Sequence, residues 1–390
     1  MPSGRTYLLG GAVAGNPGAT GVVLQGGRIA SLLVPAGDAP PGAEVLDYRP
    51  HLIAPGTIDL HTHGGAGCSF SSGPPEDTLA VARYRAATGA TALLPTITGT
   101  WDELLAALPK LARLAEGEGH AGRTDGAAIA GIHVEGPFLN ADRRGAISPL
   151  TMRRPDVDDL RRLQDAAGGW IKCMTVAPEL PGALAAIETM VALGILPSVG
   201  HSDASYEQVL DAASAGARKS THTFNAMRPL AHRDPGTVGG VLAERRLVAE
   251  LIPDGVHVHP GAMRVLLAAK GPRGTCLVTD GVRYAGLPDG VYERAGRGRL
   301  IVSGGAAKTE DGTIAGSVSP MDRNLGVLRS ELGVSLDDLF VMSAAVPAAL
   351  LGLPDQGVVR PGARADLAVY DSELRCRATF VAGRRVHPSG

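Results

Sequence analysis

Two histidines one residue apart close a mostly apolar stretch, IDLHTHGGAG, at residues 58–67. Side chains at positions i and i+2 of a β-strand point to the same face, so His61 and His63 can converge on one point. Converging imidazole nitrogens are typical ligands of a metal ion. The alternative is a pair of polar residues in a surface turn, and the rest of the chain has to decide between these two interpretations.

Four more residues that can bind a metal ion or transfer a proton also end apolar runs. They are Glu135 in GIHVEGP, His201 in LPSVGH, His222 in STHTF and Asp280 in LVTDG. Each alone is compatible with a surface or hydrogen-bonded core residue, but together with the two histidines they favour one shared site. Imidazole and carboxylate ligands suit Zn²⁺, and also Fe²⁺ or Mn²⁺, and the lack of a nearby cysteine favours a catalytic site. A carboxylate between two histidine pairs could bridge two ions, so one or two divalent ions are expected.

The segments that carry these residues alternate in character. Short apolar runs are typical of buried parallel strands, and alanine- and leucine-rich stretches with helical periodicity separate them. About eight such units over roughly 290 residues match a (β/α)8 barrel, which typically needs about 250 residues. In such a barrel the catalytic groups sit at the C-terminal ends of the strands. A doubly wound open sheet is the alternative, but no GxGxxG motif follows the first strand.

Both ends of the chain differ from this middle. Residues 1–54 and 355–390 contain short strand-like runs such as VVLQGGRIASLLV and ADLAVYD, with glycines and other turn residues between them. Two strand-rich ends around a different middle predict that the ends pair into one small β domain. The predicted α/β barrel then spans residues 55–354.

The composition restricts the possible functions. The 37 basic and 39 acidic side chains nearly cancel and no basic run appears, which argues against a nucleic-acid or membrane surface. No apolar stretch approaches the ~20 residues of a membrane span. Cys68, Cys173, Cys276 and Cys376 are scattered without CxxC spacing, which predicts a reducing, cytoplasmic location. The N-terminal RTYLLGGAVAG imitates a signal peptide, but it is short and continues into a strand-like run.

Over essentially its whole length the chain resembles the N-acetylglucosamine-6-phosphate deacetylases of the amidohydrolase superfamily. The motifs that carry the resemblance are, in order, APGTIDLHTHGGAG, GIHVEGPFLN, TVAPE, VGHSDASYEQ, THTFNAMRP, RDPG, DGVHV, LVTDG and DGTIAGS. The resemblance implies that the barrel is joined to a small β-sandwich domain assembled from both termini. It further implies a principal metal position at Glu135, His201 and His222, and a second position at His61, His63 and Asp280.

The resemblance also implies a set of substrate contacts. Asn225, Ala226 and Arg233 would approach a phosphate, with Arg233 supplying a charge-assisted fork. His257 would contact the sugar or the phosphate, whereas His259 is expected to be a loop residue. The remaining predicted substrate-binding residues are Ala146, Ile147, Asp254, Ile314, Ala315 and Gly316, of which 314–316 would line the acyl pocket.

Amide hydrolysis needs a stronger nucleophile than water and a stronger electrophile than an amide, and a bound metal ion supplies both. Asp280 is the expected general base, taking a proton from the attacking water and delivering it to the leaving amine. In many two-metal amidohydrolases outside this family, a carboxylated lysine bridges the ions. Lys172 is taken as the only strand lysine suited to that part, and it is expected to be structural because Glu135 already fills the bridging role.

One position departs from the family pattern. The segment after EGPFLN usually carries Lys-Gly-Ala-His, whose histidine is assigned to polarising the substrate carbonyl, but this chain has Ile147 at that place. Loss of one oxyanion donor typically costs about 10²- to 10³-fold in rate. Either a second ion takes over the polarisation, or the substrate differs, or the protein is weakly active or silent.

The sequence therefore predicts a metal-dependent hydrolase that converts N-acetylglucosamine 6-phosphate into glucosamine 6-phosphate and acetate. The first alternative is an amidohydrolase acting on a different N-acyl amino sugar or acyl amine. The second is a catalytically silent protein that binds an amino-sugar phosphate. Members of the family are commonly dimeric or larger, so a homo-oligomer, such as a dimer, is expected, with a phosphosugar and neither nucleic acid nor membrane as its partner.

Overall fold

The computed structural model describes residues 4–34, 39–117, 125–294 and 298–388. The chain begins with the strands β1 (Arg5–Leu9), β2 (Ala12–Val13), β3 (Gly21–Gln25), β4 (Arg28–Leu33), β5 (Glu44–Asp47) and β6 (Leu52–Pro55). Four of them form a sheet in the order β4, β3, β1, β5. Gly26 and Gly27 join β3 to β4 with φ of +58° and +76°, the signs that a type I′ hairpin requires at both central positions.

The middle of the chain alternates strands with helices. Its strands are β7 (Thr57–Thr62), β8 (Gly64–Gly65), β9 (Cys68–Ser69), β10 (Ala90–Ile97), β11 (Ala128–Ile129), β12 (Ile132–Glu135), β13 (Ile171–Val176), β14 (Leu196–Val199), β15 (Lys219–Ser220), β16 (Ala249–Leu251) and β17 (Thr275–Leu277). Its helices are α1 (Pro75–Ala86), α2 (Trp101–Glu116), α3 (Val157–Ala166), α4 (Ala183–Ala192), α5 (Tyr206–Ala215), α6 (Gly236–Ala243) and α7 (Pro260–Lys270). Single 3-10 turns are found at Ala141–Arg143, Pro149–Thr151 and Pro272–Gly274.

These strands form a curled parallel sheet. Strand β7 pairs with β10, and the order continues through β12, β13, β14 and β15, while β16 and β17 pair with each other. Single bridges connect Lys219 with Val248 and Thr62 with Gly281. Every residue of β7 and β10 is buried, as expected for parallel strands that are covered on both faces. The predicted alternation of parallel strands and helices is confirmed.

Helix α2 shows how the sequence determines these helices. Thr100 is the N-cap, and its side chain and that of Glu103 form a reciprocal capping box. Leu104, Leu108 and Leu111 are buried at helical spacing and share a hydrophobic cluster with β10. Among the helices of the described residues, none is both long enough and apolar enough to span a membrane.

An antiparallel meander follows β17, which the sequence analysis did not predict. It consists of β18 (Gly290–Arg294), β19 (Gly298–Ser303), β20 (Ala306–Thr309) and β21 (Ile314–Ser317), each paired with the next. Leu300 and Ala307 pack with Tyr284 in a small core of their own. The chain then continues through α8 (Met321–Leu332), α9 (Leu336–Phe340), a π-helical turn (Val341–Ala345) and α10 (Val346–Leu350).

Strands from both ends of the chain meet in one sheet. The last strands are β22 (Leu367–Tyr370), β23 (Cys376–Val381) and β24 (Arg384–His387), and the sheet order is β2, β6, β22, β23, β24. Strands β6 and β22 pair antiparallel. Leu8 and Ile53 from the first segment pack with Val369 and Phe380 from the last segment in one cluster, so the two ends share a core.

Candidate metal and active site

The six residues predicted at strand ends come together at one end of the parallel sheet. Their positions are His61 within β7, His63 just beyond β7, Glu135 at the end of β12, His201 after β14, His222 after β15 and Asp280 after β17. His201, His222 and Asp280 have φ of +48°, +29° and +47°, in the left-handed region that residues with a Cβ rarely adopt. The chain thus turns sharply where these strands end, and such strained positions cluster at functional sites.

Glu135, His201 and His222 form the first of two groups of potential metal ligands. All three are buried, and their ligand atoms lie within 4.8 Å of one another. Glu135 Oε1 is 3.2 Å from His201 Nε2 and 3.1 Å from His222 Nε2, and the two nitrogens are 3.1 Å apart. Three ligand atoms from three strands therefore surround one small volume.

His61, His63 and Asp280 form the second group. The two histidine Nε2 atoms are 3.2 Å apart, and each lies 3.4 Å from Asp280 Oδ1. Glu135 links the groups, because its Oε1 is 3.3 Å from His61 Nε2 and its Oε2 is 3.2 Å from His63 Nε2. The Glu135 carboxylate thus lies between the two pairs of histidines, where a bridging ligand would be.

The proton positions implied by the surrounding hydrogen bonds fit a divalent cation. His201 Nδ1 lies 2.8 Å from the carbonyl oxygen of Arg143 and donates to it, so Nε2 of the neutral ring carries a lone pair. His61 Nδ1 donates in the same way to Glu250 at 3.0 Å. Both Nε2 atoms face the Glu135 carboxylate, so a cation has to lie between them, either a proton on each ring or a metal ion. Neutral imidazole and carboxylate are the donors that Zn²⁺ favours.

The electrostatics of the cluster also favour positive charge. Burial acts to lower the pKa of His63, but the carboxylates of Asp280 and Glu135 outweigh this effect and raise the pKa to about 9. Burial acts to raise the pKa of Glu135, yet His61 and His201 hold that pKa well below its ordinary range. The carboxylates of Asp280 and Glu135 would attract an ion of charge +2 in the same way.

A buried ion pair that the sequence analysis missed contacts these histidines. Lys219 Nζ lies 2.5 Å from Glu250 Oε1, and neither side chain is exposed. Glu250 Oε2 accepts hydrogen bonds from His61 Nδ1 and from the backbone N–H of His222. The signal was available, since a charged residue inside an apolar strand run such as VAELI is rarely buried without a partner. Lys219 is a second lysine in a strand of the parallel sheet, at the start of β15, and its Nζ is paired with Glu250.

A cavity of about 780 Å³ opens onto the cluster, within the usual size range of small-molecule sites. Of the predicted substrate-binding residues, those lining it are Ala146, Ile147, Asn225, Ala226, His257, Ile314, Ala315 and Gly316. The lining also includes Lys110, Arg283 and Tyr284, which the sequence analysis did not select. The cavity wall therefore combines polar groups with the apolar side chains of Ile147 and Ile314.

Asp254, another predicted substrate-binding residue, lies behind His257 and does not line the cavity. Its buried carboxylate accepts through Oδ2 from His257 Nδ1 at 2.7 Å and from Ser317 Oγ at 2.8 Å. Its Oδ1 accepts from the backbone N–H groups of Val256 and His257. Within the described part of the protein, His257 Nε2 is buried without a hydrogen-bond partner. That nitrogen is therefore available to a ligand in the cavity.

Arg233, the predicted phosphate contact, does not line the cavity of its own chain either. It is exposed in the loop before α6, next to the ion pair of Arg228 and Asp234. His259 is exposed at the N-cap of α7, where its Nδ1 accepts from a backbone N–H, in agreement with a loop role. Lys172 donates to the carbonyl oxygen of Gly169 and lines a different pocket.

Comparisons with known proteins agree with this arrangement. The family model described as the amidohydrolase family matches residues 52–386. An N-acetylglucosamine-6-phosphate deacetylase of Lysinibacillus sphaericus is 34% identical over 88% of this chain and 87% of its own length. An N-acetylgalactosamine-6-phosphate deacetylase of Escherichia coli O157:H7 is 32% identical, over 92% of this chain and 93% of its own.

A solved structure extends the similarity to three dimensions. It is an N-acetyl-D-glucosamine-6-phosphate deacetylase mutant from Mycobacterium smegmatis in complex with N-acetyl-D-glucosamine-6-phosphate. It superimposes with a TM-score of 0.88 at 34% identity, covering 98% of this chain and all of the other. The chain therefore belongs to the amidohydrolase family and, within it, to the N-acetylglucosamine-6-phosphate deacetylases.

Proposed function

We propose that this protein removes the acetyl group of N-acetylglucosamine 6-phosphate, giving glucosamine 6-phosphate and acetate. The observation that carries the proposal is the convergence of two potential ligand groups on Glu135, at a cavity that also contains His257. The relative from Lysinibacillus and the structure from Mycobacterium support this substrate, since both carry the name of such a deacetylase. They favour this reading over a different acyl amine and over a silent binding protein.

The cluster is proposed to hold one or two divalent ions, with Zn²⁺ as the first candidate. Glu135, His201 and His222 would hold the principal ion, and His61, His63 and Asp280 the second. A bound ion supplies two things that amide hydrolysis needs, an acidified water molecule and a polarised carbonyl.

Asp280 would act as the general base and then as the general acid. Its carboxylate is half-buried beside His61 and His63, so the proton that it accepts from the attacking water would stay near the reacting atoms. It would then deliver this proton to the amine nitrogen, which must leave as a neutral amine because an amide anion is a very poor leaving group.

His257 would recognise the phosphate through its free Nε2. Burial acts to lower the pKa of His257, but the hydrogen bond and the charge of Asp254 outweigh it and raise the pKa above its ordinary value. The ring can thus carry a positive charge beside an anionic ligand and donate a charge-assisted hydrogen bond. Asn225 and Ala226 line the same cavity and would add neutral donors.

The acyl group would lie against Ile147 and the segment 314–316. Gly316 has a φ of +128°, and a Cβ there would lie 2.4 Å from the side chain of Val282, so only glycine fits. The backbone can consequently approach the acyl group closely at this point, while Ile147 provides an apolar wall that excludes water.

The architecture proposed around this site is a closed (β/α)8 barrel at residues 55–354, with a β-sandwich domain from 1–54 and 355–390. The bridge between Thr62 and Gly281 and the shared core of the two ends support it. A cytoplasmic homo-oligomer, such as a dimer, is proposed as well. Exposed Arg233 would then be able to reach the substrate of a second copy.

The decisive experiment is acetate release by protein whose bound metal has been quantified. Substrates would be N-acetylglucosamine 6-phosphate, its galactosamine epimer and N-acetylglucosamine, the epimer being included because of the E. coli relative. We expect phosphate-dependent release that stops on chelation and returns with Zn²⁺. No release from metal-loaded protein on either phosphosugar would overturn the proposal, and faster release from the epimer would reassign the sugar.

A further inference from the structure

Glu250 contacts both halves of the ligand cluster although it belongs to neither. Its Oε2 accepts from the His61 side chain at 3.0 Å and from the backbone N–H of His222 at 2.8 Å. His61 is in the second group of ligands and His222 in the first. One buried carboxylate therefore holds a ring in one group and the strained backbone, with φ of +29°, in the other.

The contact with His61 determines which nitrogen of that ring is free. A neutral imidazole carries a single N–H, and a carboxylate next to Nδ1 keeps the proton on that atom. Nε2 is then left with a lone pair directed at Glu135 and Asp280, which lie 3.3 and 3.4 Å away. This is the state of the ring that a metal ion requires, and partners of this kind generally orient metal-binding histidines.

Lys219 compensates the charge of Glu250. The two side chains are completely buried, and a carboxylate at such a place is costly in free energy unless a cation pairs with it. Because Lys219 Nζ donates to Glu250 Oε1, it is also engaged away from the cluster and does not act as a bridging ligand.

We propose that Glu250 is a positioning residue that presets the metal centre, fixing the His61 ring and the His222 backbone, with Lys219 as its counter-ion. This inference rests on the proposed metal-dependent function. It predicts that the chain binds two ions and that the second one depends on Glu250.

The test measures metal binding rather than turnover. Metal-free wild-type protein and the variants E250Q, E250D and E250Q/K219M would be titrated with Zn²⁺ or Co²⁺ against a competing chelator. Bound ions per subunit and the visible Co²⁺ spectrum would be recorded, and circular dichroism would verify folding. D366N serves as a matched control, because Asp366 is another buried acidic residue but lies between the end strands.

We expect two ions in the wild type and in D366N. In E250Q an amide N–H₂ must face either Lys219 or the His61 ring, both donors, so one ion should bind about 10- to 100-fold more weakly. E250D keeps a carboxylate near Lys219, but its side chain is one methylene too short to reach His61. It should therefore bind that ion as weakly as E250Q does. E250Q/K219M frees the amide to turn its oxygen to His61 and should recover most of the affinity.

Three results would overturn the inference: a single ion in the wild type, unchanged affinity in both E250Q and E250D, or equal losses in D366N. Acetate release by the wild type separates this inference from the proposed function. Active wild-type protein with unaffected metal binding in the variants would reject only the role of Glu250. Weakened binding in the variants of an inactive protein would reject only the assigned reaction.

Discussion

Asp280 and His63 lie 3.4 Å apart, Oδ1 to Nε2, at the ends of neighbouring segments of the parallel sheet. The imidazole rings thus hold the Asp280 carboxylate in place, where it can accept a proton from the attacking water and keep that proton in the site. Asn has nearly the same shape but cannot accept that proton. We therefore expect Asp280→Asn to lower the rate of deacetylation by about 10²- to 10⁴-fold.

Acetate release and metal analysis on the same samples would check this prediction. The group formed by Glu135, His201 and His222 should keep its ion in the variant. Asp158→Asn is a suitable control, since that side chain is 86% exposed on α3. Activity of the Asp280 variant within threefold of the wild type would exclude the assigned proton transfer.

Asp254→Asn tests the recognition of phosphate. All four contacts of the Asp254 carboxylate are with donors, from His257, Ser317 and two backbone N–H groups, so an amide N–H₂ must clash with at least one. The support for the His257 ring is then weakened. We expect KM for the phosphorylated substrate to rise about tenfold or more, or about 1.4 kcal/mol, with little change in kcat.

The unphosphorylated sugar provides the internal comparison for this variant. Its kcat/KM should be unchanged, because no phosphate is present to contact His257. An equal loss on both substrates would mean that Asp254 maintains the fold of the site and has no particular connection with the phosphate.

Ile147→His tests whether the missing hydrogen-bond donor matters. Ile147 lines the cavity, so a histidine there could reach the substrate carbonyl. If carbonyl polarisation were lacking, such a donor would be worth about 10²- to 10³-fold in rate. We expect less than a tenfold gain in kcat, because His61, His63 and Asp280 are retained as a second group of ligands.

Ile147→Asn gives the matched comparison, a polar side chain of smaller volume without an imidazole. A hundredfold gain specific to histidine would show that the site of this chain lacks a donor and that its natural substrate differs from the one assigned.

Asp366 predicts a pH dependence of stability away from the active site. Burial raises its pKa from 3.8 to about 6, although Arg364 and the backbone N–H of Ala382 partly oppose the shift. Between these two pH values the unfolded chain has released the proton while the folded chain still holds it, so stability falls as the pH rises. The loss amounts to about 3 kcal/mol and is complete above about pH 6.

Asp366→Asn removes this titration. The free energy of unfolding of the variant minus that of the wild type should therefore increase by up to about 3 kcal/mol as the pH rises from 4 to 7.5. Denaturant unfolding at both values would measure the difference, and a difference that does not vary with pH would contradict the assignment.

The positions of the six potential ligands could be predicted from the sequence because each one lies at or just beyond the end of a buried strand. The rule that parallel strands end at one edge brings His61 and His201 together without any knowledge of the fold in between. Glu250 was missed although its charge inside an apolar run indicated a buried partner, because the pattern of apolar residues does not identify that partner as Lys219. The meander of β18 to β21 was missed because its strands are short and half exposed.

The place of Asp254 behind His257 could not be predicted from the sequence for a different reason. A family motif identifies which residues are near a substrate, but it does not distinguish a side chain on the cavity surface from one behind it. Only the four hydrogen bonds of Asp254 show that its carboxylate is already saturated. Arg233 illustrates the same point, since its motif gave no indication that the side chain would face solvent.

The ligands lie at strand ends, whereas Ile147 lies in an irregular segment and Ile314 in the meander. Mutations in these two segments can change the shape of the acyl and sugar pockets without displacing any of the six potential ligands. Substrate specificity can thus change through single substitutions in these segments while the residues proposed for hydrolysis stay in place.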